Sequence, residues 1–454
     1  MFPLKPFFIL LFVTTLSFSQ NTKLSILDSH SKEPIEGANV LAGDSGSGGT
    51  TDKNGNFSLP ENISTQDSLV ISHLGYKTRI LSFFDLRKSR FRVYLRKTNE
   101  NLEEVNIRSN TRLQHRIRYE SLPEMKDGIF AFGSVLTGNK LYLVGGNLSH
   151  TTNKRREFME RAGMTRATFK DFTRAMRSDL NWLEYSENLH IYDLNTGKWS
   201  TSPLKFEKRA FLNLNAIGNK LYATGGKSLS TNRIKQYLGN KIEIYDIEND
   251  SLYTDLTNPH QAVNFASFVY DDQLILLGGS TKRKRNQGKV YTDKMHLYKP
   301  ETGYWYEVAK MPKAKETTGI LLNNKFYLIG GFNKSPLKSI ESYDIKSGEW
   351  TNLGELFENM ERPGLAAHGE IIYIYNKGKL LSFNTPTGKL SEYYIDLNLQ
   401  YAALHYYNNH LYIVGGAREI NFEVIPSQKI YRIALDEFRK TEVKRFKVLD
   451  KNIY

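Results

Sequence analysis

The feature that most constrains this fold is a short apolar strand that ends in two glycines and recurs along the chain. The first glycines lie 80, 53, 52, 45 and 40 residues apart, counting Tyr375 for the fifth copy, which lacks the glycine pair. Glycine permits positive φ and close approach between neighbouring backbones, so the pair predicts a crowded strand end. A period in this range predicts repeated supersecondary units that pack against one another. The pairs are Gly145-Gly146, Gly225-Gly226, Gly278-Gly279, Gly330-Gly331 and Gly415-Gly416.

A second signal follows each copy of the strand. An aromatic residue is followed, seven positions later, by a large apolar residue, often with Asn, Gly or Pro between them. This constant spacing predicts a hairpin. Since one such sheet cannot bury both of its faces, the repeats are expected to fold together as a ring. The pairs are Tyr192/Trp199, Tyr245/Leu252, Tyr298/Trp305, Tyr343/Trp350, Phe383/Leu390 and Tyr431/Phe438.

Together the two signals resemble the kelch repeat, from roughly Met125 to Lys447. Arg209, sixteen residues before Gly225, matches an arginine that this family often carries. The resemblance implies an all-β fold with a six-bladed kelch β-propeller, which we assign to residues 119–454. The sequence does not decide which segment supplies the strand that closes the ring, because Tyr119–Met125 and the segment after Phe438 both resemble an outer strand.

The first blade contains an insertion, residues 147–188, for which the sequence predicts a helix. Phe169, Phe172, Met176 and Leu180 fall at helical spacing beside a basic stripe. A shorter helix is expected before Gly163. A helix docked on the propeller, a lid or partner-binding helix, and a helix on a membrane surface are all compatible with this pattern.

Residues 20–98 predict a small β-sandwich ahead of the repeats. Pro34–Val40, Thr51–Phe57 and Ile71–Lys77 resemble the carboxypeptidase regulatory-like domain, which implies a non-catalytic folding or docking module. Asn54-Gly55 is expected to form a type I′ hairpin turn. Residues 99–118 are assigned as a linker. The expected strands are Lys23–Leu27, Ala38–Leu41, Phe57–Leu59, Ser68–Ser72, Thr78–Ser82 and Phe91–Leu95.

Residues 1–19 have the pattern of a secretory signal peptide. Lys5 precedes the apolar run Phe7–Val13, and small residues Ser17 and Ser19 follow. The run is too short to span a bilayer, and we expect no transmembrane segment elsewhere. The leader therefore predicts an exported protein. Because the regulatory-like domain often occurs in exported proteins and outer-membrane receptors of Gram-negative bacteria, we expect this protein to be periplasmic or outer-membrane associated in such a bacterium.

The net charge of +14 favours anionic partners, and the expected export argues against nucleic acid. Basic residues are concentrated in Lys227–Lys241 and Ser280–Lys294, at the same position of two consecutive repeats, so they should share one face. That face is either a binding surface or ordinary solvated surface. The candidate ligand-binding residues are Arg209, Arg233, Lys235, Lys282, Arg283, Lys284, Arg285, Lys289 and Arg362.

Motifs that carry catalytic chemistry are missing from the sequence. It contains no nucleophile elbow, no phosphate-binding or dinucleotide-binding glycine motif, and no histidines at metal-ligand spacing, so we assign no catalytic residue, metal or cofactor. Galactose oxidase shares the architecture but depends on a tyrosine crosslinked to cysteine, and this chain has no cysteine. A periplasmic sialic acid mutarotase also shares it, and such a site would use arginine to grip a carboxylate beside an acid or base. Arg209, Arg362 and Glu316 are candidates for that role.

We therefore expect a binding or scaffold protein of the cell envelope that recognises a protein partner or an acidic glycan through the basic loop face. The alternative is a carbohydrate-active enzyme such as the sialic acid mutarotase. The sequence leaves the ligand and the oligomeric state open.

Overall fold

The computed structural model divides the chain into two compact units, Met1–Asn106 and Ile107–Tyr454. The predicted leader and residues 99–112 of the predicted linker lie outside the described residues. The structure describes residues 22–42, 48–59, 68–73, 75–97, 113–152, 154–162, 168–177, 183–233, 235–284, 288–449 and 452–453.

The first unit is a pair of small sheets around an apolar core, as predicted for a β-sandwich. One sheet has the strand order Gly48–Thr50, Asn39–Ala42, Ser68–Ser72, Arg79–Ser82, and the other has Asn56–Ser58, Lys23–Asp28, Arg92–Leu95. A helix, Phe83–Lys88, follows the last strand of the larger sheet; Ser82 caps it, its Oγ accepting a hydrogen bond of 3.1 Å from the Asp85 amide. The buried core includes Leu24, Ile26, Leu69, Ile71, Leu86 and Val93.

The predicted type I′ turn at Asn54-Gly55 is wrong. Gly55 has a φ of 71°, whereas Asn54 does not take positive φ. Asp52 Oδ1 instead accepts hydrogen bonds of 2.9 Å from the amides of Asn54 and Asn56. The segment therefore carries the chain from one sheet to the other, stabilised by an aspartate side chain rather than by a hairpin.

The second unit is a propeller, as the fold class predicted. Its described residues contain six sheets, here called blades 1 to 6, whose inner strands contact one another in a closed ring. Each blade has four main strands, and blades 2, 4 and 5 have additional short ones. From the inner to the outer strand the blades are Gly133–Thr137, Lys140–Val144, Leu189–Asp193, Lys198–Thr201; Arg209–Ile217, Lys220–Leu229, Ile242–Asp246, Ser251–Asp255; Ala266–Tyr270, Gln273–Leu277, Lys294–Lys299, Tyr304–Lys310; Glu316–Leu322, Lys325–Asn333, Ser339–Asp344, Trp350–Glu355; Gly364–His368, Ile371–Asn376, Lys379–Asn384, Lys389–Tyr394; and Ala403–Tyr407, His410–Val414, Ile430–Ala434, Glu120–Leu122.

Blade 6 closes the ring by combining both ends of the propeller. Its three inner strands come from the C-terminal part of the chain, and Glu120–Leu122 supplies the outer one. The later segment Arg445–Val448 instead adds a fifth strand to blade 5, and Asn452–Ile453 pairs with the outer strand of blade 4. The chain just before the closing strand also contacts the propeller, because Ile117 bridges to Ile395.

The spacing of seven predicted hairpins correctly in the first five blades, where each aromatic residue lies directly opposite its apolar partner. The sixth pair, Tyr431/Phe438, is wrong. Tyr431 faces Ser121, and Phe438 lies in the short helix Glu437–Lys440. The hairpin is missing because the outer strand comes from the other end of the propeller.

Each glycine pair lies between the inner strand of its own blade and the segment that leads into the next blade. A Cβ on Gly330 would lie 2.2 Å from the Met360 carbonyl oxygen, just before blade 5, and a Cβ on Gly331, whose φ is 114°, would lie 2.1 Å from the carbonyl oxygen of Glu316 in the same blade. In blade 5 the strand register puts Asn376 and Lys377 in the places of the glycine pair, and the Lys377 amide donates a 3.2 Å hydrogen bond to the Leu399 carbonyl, as the Gly331 amide does to that of Met360. Tyr375, the residue before them, adds contacts to the same segment: its hydroxyl donates a 2.6 Å hydrogen bond to the Leu397 carbonyl and accepts one of 3.2 Å from the Leu399 amide.

Loops between the second and third strands carry the remaining elements. In blade 1 this loop contains helices Lys154–Ala162 and Phe169–Arg177, which meet through Phe158 and Phe172 with ring centroids 5.3 Å apart. Leu180 of the expected helix lies outside the described residues. The short strands of these loops are Thr151–Thr152, Gln236–Leu238, Ser280–Lys284, Gly288–Tyr291, Ser335–Pro336, Ala417–Ile420 and Glu423–Pro426.

Candidate functional site

The inner strands of the blades surround a central cavity of about 700 Å³. Antiparallel order places the start of every inner strand on the same face as the loops between second and third strands. Backbone bonds link equivalent positions of neighbouring blades there: the Phe211 amide donates to the Ala131 carbonyl (2.6 Å), and that of Thr317 to Asn264 (3.0 Å). We call the six equivalent residues the mouth ring: Ala131, Phe211, Asn264, Thr317, Arg362 and Tyr401.

Four members of the mouth ring have left-handed backbone conformations although they are not glycine. Their φ values are 53° at Ala131, 62° at Phe211, 54° at Asn264 and 56° at Tyr401. This region is unfavourable for residues with a side chain, most of all for bulky ones, and such strain is concentrated at binding and catalytic sites. The strain interrupts strand alternation and fixes where these side chains point.

A polar relay crosses the mouth from blade 5 to blade 3. Arg362 Nη1 donates a 2.6 Å hydrogen bond to Asn264 Oδ1, and Asn264 Nδ2 donates one of 3.1 Å to Glu316 Oε2. Partial burial lowers the pKa of the Arg362 guanidinium, while the nearby Tyr401, Glu316 and Glu361 act to raise it. The guanidinium has five N–H donors. Arg362 is therefore held in place at the channel opening with donors left for an incoming anion.

Glu316 is the buried anion of this relay, with its side chain 1% exposed. Ser280 Oγ donates to its Oε1, and Lys289 Nζ lies 2.9 Å from the same oxygen. Both carboxylate oxygens are thus occupied by protein donors. Glu316 positions its neighbours and does not offer an open carboxylate to a ligand.

Two lysines, Lys227 of blade 2 and Lys289 of blade 3, lie next to this relay. Lys227 Nζ lies 4.5 Å from the ring centre of Phe211, and Lys289 Nζ lies 4.7 Å from that of Phe332. Burial, together with the positive charge of Lys289, lowers the pKa of Lys227 to about 8, although Glu316 opposes the shift. Lys227 therefore changes charge close to neutral pH.

Aromatic residues form the opposite wall of the mouth. The Tyr401 ring stacks on Phe130 at 6.1 Å, and its hydroxyl donates a 3.3 Å hydrogen bond to Glu361 Oε2. Burial and that carboxylate raise the pKa of the Tyr401 hydroxyl, so it stays protonated. The mouth thus combines cationic donors with an aromatic surface, which suits a compact anionic ligand that has an apolar face.

Polar side chains continue down the channel below the mouth. Ser134 Oγ lies 2.9 Å from His405 Nε2, and Ser267 Oγ donates to Asn215 Oδ1 at 2.7 Å. Enclosure in the channel lowers the pKa of His405 to about 4, so the imidazole is neutral at pH 7.

The structure puts Arg209 in a different place from the other predicted site residues. Its side chain is completely buried, with Nη2 2.7 Å from Glu243 Oε2 and further hydrogen bonds to the carbonyls of Ala223 and Gly225. It cannot reach a ligand in this conformation. Arg209 is a structural residue of blade 2, whose mouth-ring position is held by Phe211, and of the two predicted arginines only Arg362 lies at the mouth.

The other predicted basic residues are distributed around the mouth face. Lys289 lies at the mouth, Arg233 is partly exposed with Nη2 3.9 Å from Glu184 Oε1, and Lys235 is exposed. Lys282, Arg283 and Lys284 lie on the strand Ser280–Lys284, but their side chains, like all of Arg285, are outside the described residues.

Sequence reasoning did not single out Lys227, Asn264 and Tyr401 as site residues. The signal that could have identified them is positional, because each lies where an inner strand begins or directly after a glycine pair. Among the described residues, no three His, Asp or Glu side chains are grouped so as to hold a metal ion. No helix in the same part of the chain has the length and apolar character needed to cross a membrane.

Family models match two parts of the chain. A CarboxypepD_reg-like domain matches residues 25–107, and a Kelch motif matches residues 317–356, which is most of blade 4. The two matches agree with the two units of the structure. They confirm both resemblances that the sequence motifs indicated.

Two relatives and one solved structure agree with the family-model matches. Human Kelch-like protein 34 is 22% identical over 284 residues, covering 62% of this chain and 40% of the relative. Kelch-like protein terF of Aspergillus terreus is 24% identical over 199 residues, covering 39% and 42%. The chain thus spans less than half the length of these curated relatives. The structure of YjhT superposes with a TM-score of 0.50 at 12% identity, covering 67% of this chain and 96% of that one, and shows a shared fold. The chain therefore combines an N-terminal CarboxypepD_reg-like domain with a kelch-repeat propeller.

Proposed function

We propose that this protein is an exported binding protein of the cell envelope whose propeller captures a carboxylate-bearing ligand at the mouth of its central channel. The observation that carries the proposal is the convergence of Arg362, Lys227 and Lys289 on one opening. Arg362 is fixed by Asn264, so little side-chain entropy is lost when it grips an anion. A kelch propeller is also a fold that supports binding or scaffold roles.

The ligand class follows from the chemistry of the mouth. An acidic sugar has a carboxylate for the arginine and lysines and an apolar ring face for Tyr401 and Phe211. The overall charge of +14 raises the local concentration of such ligands. Export is supported by the leader pattern of residues 1–19, and it would place the protein where acidic glycans are exposed.

Calorimetric titration of the protein with glucuronic acid, sialic acid and their neutral counterparts tests the proposal. We expect binding of acidic sugars alone, weakened at least tenfold by Arg362→Lys, which keeps the charge but loses the planar fork. Lys346→Gln, on the exposed turn of the opposite face, is the matched control and should bind normally. Equal affinity of Arg362→Lys and the unaltered protein would refute the site.

A carbohydrate-active enzyme such as a mutarotase is the second candidate, and one observation favours it. The amine of Lys227 exchanges protons near pH 8, which is the property of a general acid or base. The Tyr401–Glu361 pair lies at the same opening. Anomeric exchange of a bound acidic sugar, followed by NMR, would distinguish turnover from simple binding.

A further inference from the structure

The wall of loops around the mouth is interrupted at blade 5. Its second and third strands, Ile371–Asn376 and Lys379–Asn384, are joined by the two residues Lys377 and Gly378 alone. Their φ values of 41° and 78° make this a tight turn of type I′. Blade 6, by contrast, builds an extra hairpin in the same position. The mouth is therefore open toward the rim on the side of Arg362.

Two cavities that share lining residues occupy this gap, and together we call them the rim groove. It consists of an inner cavity of about 390 Å³ and an outer cavity of about 270 Å³, and both are lined by Lys377 and Asn398. The inner cavity reaches Gln400, the residue before Tyr401 of the mouth ring. The outer cavity reaches Lys444 near the outer strands of blade 5. The rim groove thus leads from the mouth to the edge of the propeller.

Three carboxamide side chains line the inner part of the rim groove, together with one cation, Lys377, and one anion, Glu419. Within the described part of the chain, the side-chain amides of Asn398, Gln400 and Asn421 have no protein hydrogen-bond partner. An amide offers both donors and acceptors, so three together match a surface that carries hydroxyl groups.

An aromatic ring completes the lining in an unfavourable backbone conformation. Phe422 and Asn421 form the turn of the blade 6 hairpin, with φ values of 69° and 48°. The second position of such a turn favours glycine, and a bulky residue there is strained. Surrounding contacts must stabilise such a conformation, and here it holds a partly exposed phenyl ring against the groove.

Apart from Lys377, the charged residues that line the outer cavity are in ion pairs. Glu392 pairs with Arg445 at 2.8 Å, Asp396 with Arg116 at 2.9 Å, and Lys379 with Glu358. A polyanion would gain little from these paired groups, whereas a neutral polyhydroxylated chain fits them.

We propose that the rim groove binds the neutral sugar residues of an oligosaccharide whose terminal acidic sugar is seated at the mouth. This inference rests on the proposed function and specifies its ligand as a chain rather than a single sugar. Phe422 supplies apolar contact to a sugar ring, and Asn398, Gln400 and Asn421 hydrogen-bond the hydroxyl groups.

A length series tests the groove with the whole protein. Oligosaccharides of one to four residues that end in the same glucuronic acid, with neutral residues beyond it, are titrated by calorimetry. We expect affinity to rise at least tenfold from one residue to three. Phe422→Gly relieves the strained φ, so the variant should fold, and it should abolish the gain with length while leaving the affinity for glucuronic acid unchanged.

Asn409→Gly is the matched control, because Asn409 has a φ of 60° in a hairpin turn of blade 6 on the opposite face. It should keep the full dependence on length. Binding of glucuronic acid without any effect of chain length would overturn the groove and leave the mouth site intact. No binding by any sugar would overturn both. Tighter binding of an acidic peptide, weakened by Phe422→Gly, would show that the groove takes peptide and not glycan.

Discussion

His260 and His296 share a hydrogen bond between their Nδ1 atoms, which lie 2.9 Å apart in the buried part of blade 3. His260 Nε2 donates to the Gly278 carbonyl at 2.9 Å, so its Nδ1 must accept the proton of His296. At the corresponding place, blade 2 has the ion pair Arg209–Glu243 and blade 4 has Lys315–Glu341. Blade 3 thus replaces an ion pair by a neutral pair that works only while His260 is uncharged.

The histidine pair should make the propeller sensitive to acid. Burial lowers the pKa of His260 from 6.5 to about 3, so the unfolded chain binds more protons than the folded one between those values. The free energy of unfolding should therefore fall as the pH drops from about 6.5 toward 3, with a slope of up to about 1.4 kcal/mol per pH unit from this group. Urea unfolding at several pH values measures the slope. A His260→Gln variant should show a shallower slope, and an unchanged slope would contradict the assignment.

Arg209 is expected to matter for stability and not for ligand binding. Replacing it by alanine removes the closest cation from the buried Glu243 and leaves only Lys241, 3.8 Å from its Oε1, so the loss should be about 3 kcal/mol. Arg432→Ala, which breaks a mostly exposed pair with Glu120, is the control and should cost about 1 kcal/mol or less. Chemical denaturation measures both losses. If folded Arg209→Ala also lost its affinity for an acidic sugar, Arg209 would belong to the site.

The repeat signals predicted the blade hairpins because each hairpin is local in sequence. Tyr192 and Trp199 need only seven residues and a turn to find each other. The closing strand could not be predicted in the same way, since Ser121 lies opposite Tyr431 and only closure of the ring brings them together.

The candidate site was only partly predictable. Lys289 and Arg362 were expected, but the role of Arg209 was wrong because strand alternation fails beside it. Phe211, at φ 62°, is skipped in the pairing of Arg209–Ile217 with its neighbour, so counting residues from the mouth does not reveal which side chains face the channel. Such strain depends on tertiary contacts and leaves no pattern in the sequence.

Ligand affinity should depend on pH through Lys227. Its pKa of about 8 means that the amine is cationic below that value and neutral above it. Binding of an acidic sugar should weaken as the pH rises through 8, and Lys227→Gln should bind more weakly at pH 7 and lose this dependence. Calorimetric titrations from pH 6.5 to 9.5 follow the effect. Lys346→Gln serves again as the control. If Lys227→Gln kept the same pH dependence of affinity, a group other than Lys227 would be responsible for it.

Replacing Gly331 by alanine should lower both the stability of the propeller and its affinity for an acidic sugar. The φ of 114° at Gly331 disfavours any side chain, and a Cβ would lie 2.1 Å from the carbonyl oxygen of Glu316. Gly331→Ala must therefore displace the backbone that holds the buried carboxylate beside Asn264 and Lys289. We expect a loss of about 3 kcal/mol or more in the free energy of unfolding.

Gly138 provides the comparison, because it also has positive φ, 59°, but nothing lies within 4 Å of its added Cβ. Gly138→Ala should cost about 1 kcal/mol from backbone strain alone. Chemical denaturation compares the two variants, and titration with glucuronic acid at low temperature compares their sites. Since Glu316 orients the relay to Arg362, Gly331→Ala should bind more weakly while folded, whereas Gly138→Ala should bind normally. Similar stability losses for the two variants would mean that the junction relaxes around the extra carbon, and unchanged affinity of Gly331→Ala would separate Glu316 from the positioning of Arg362.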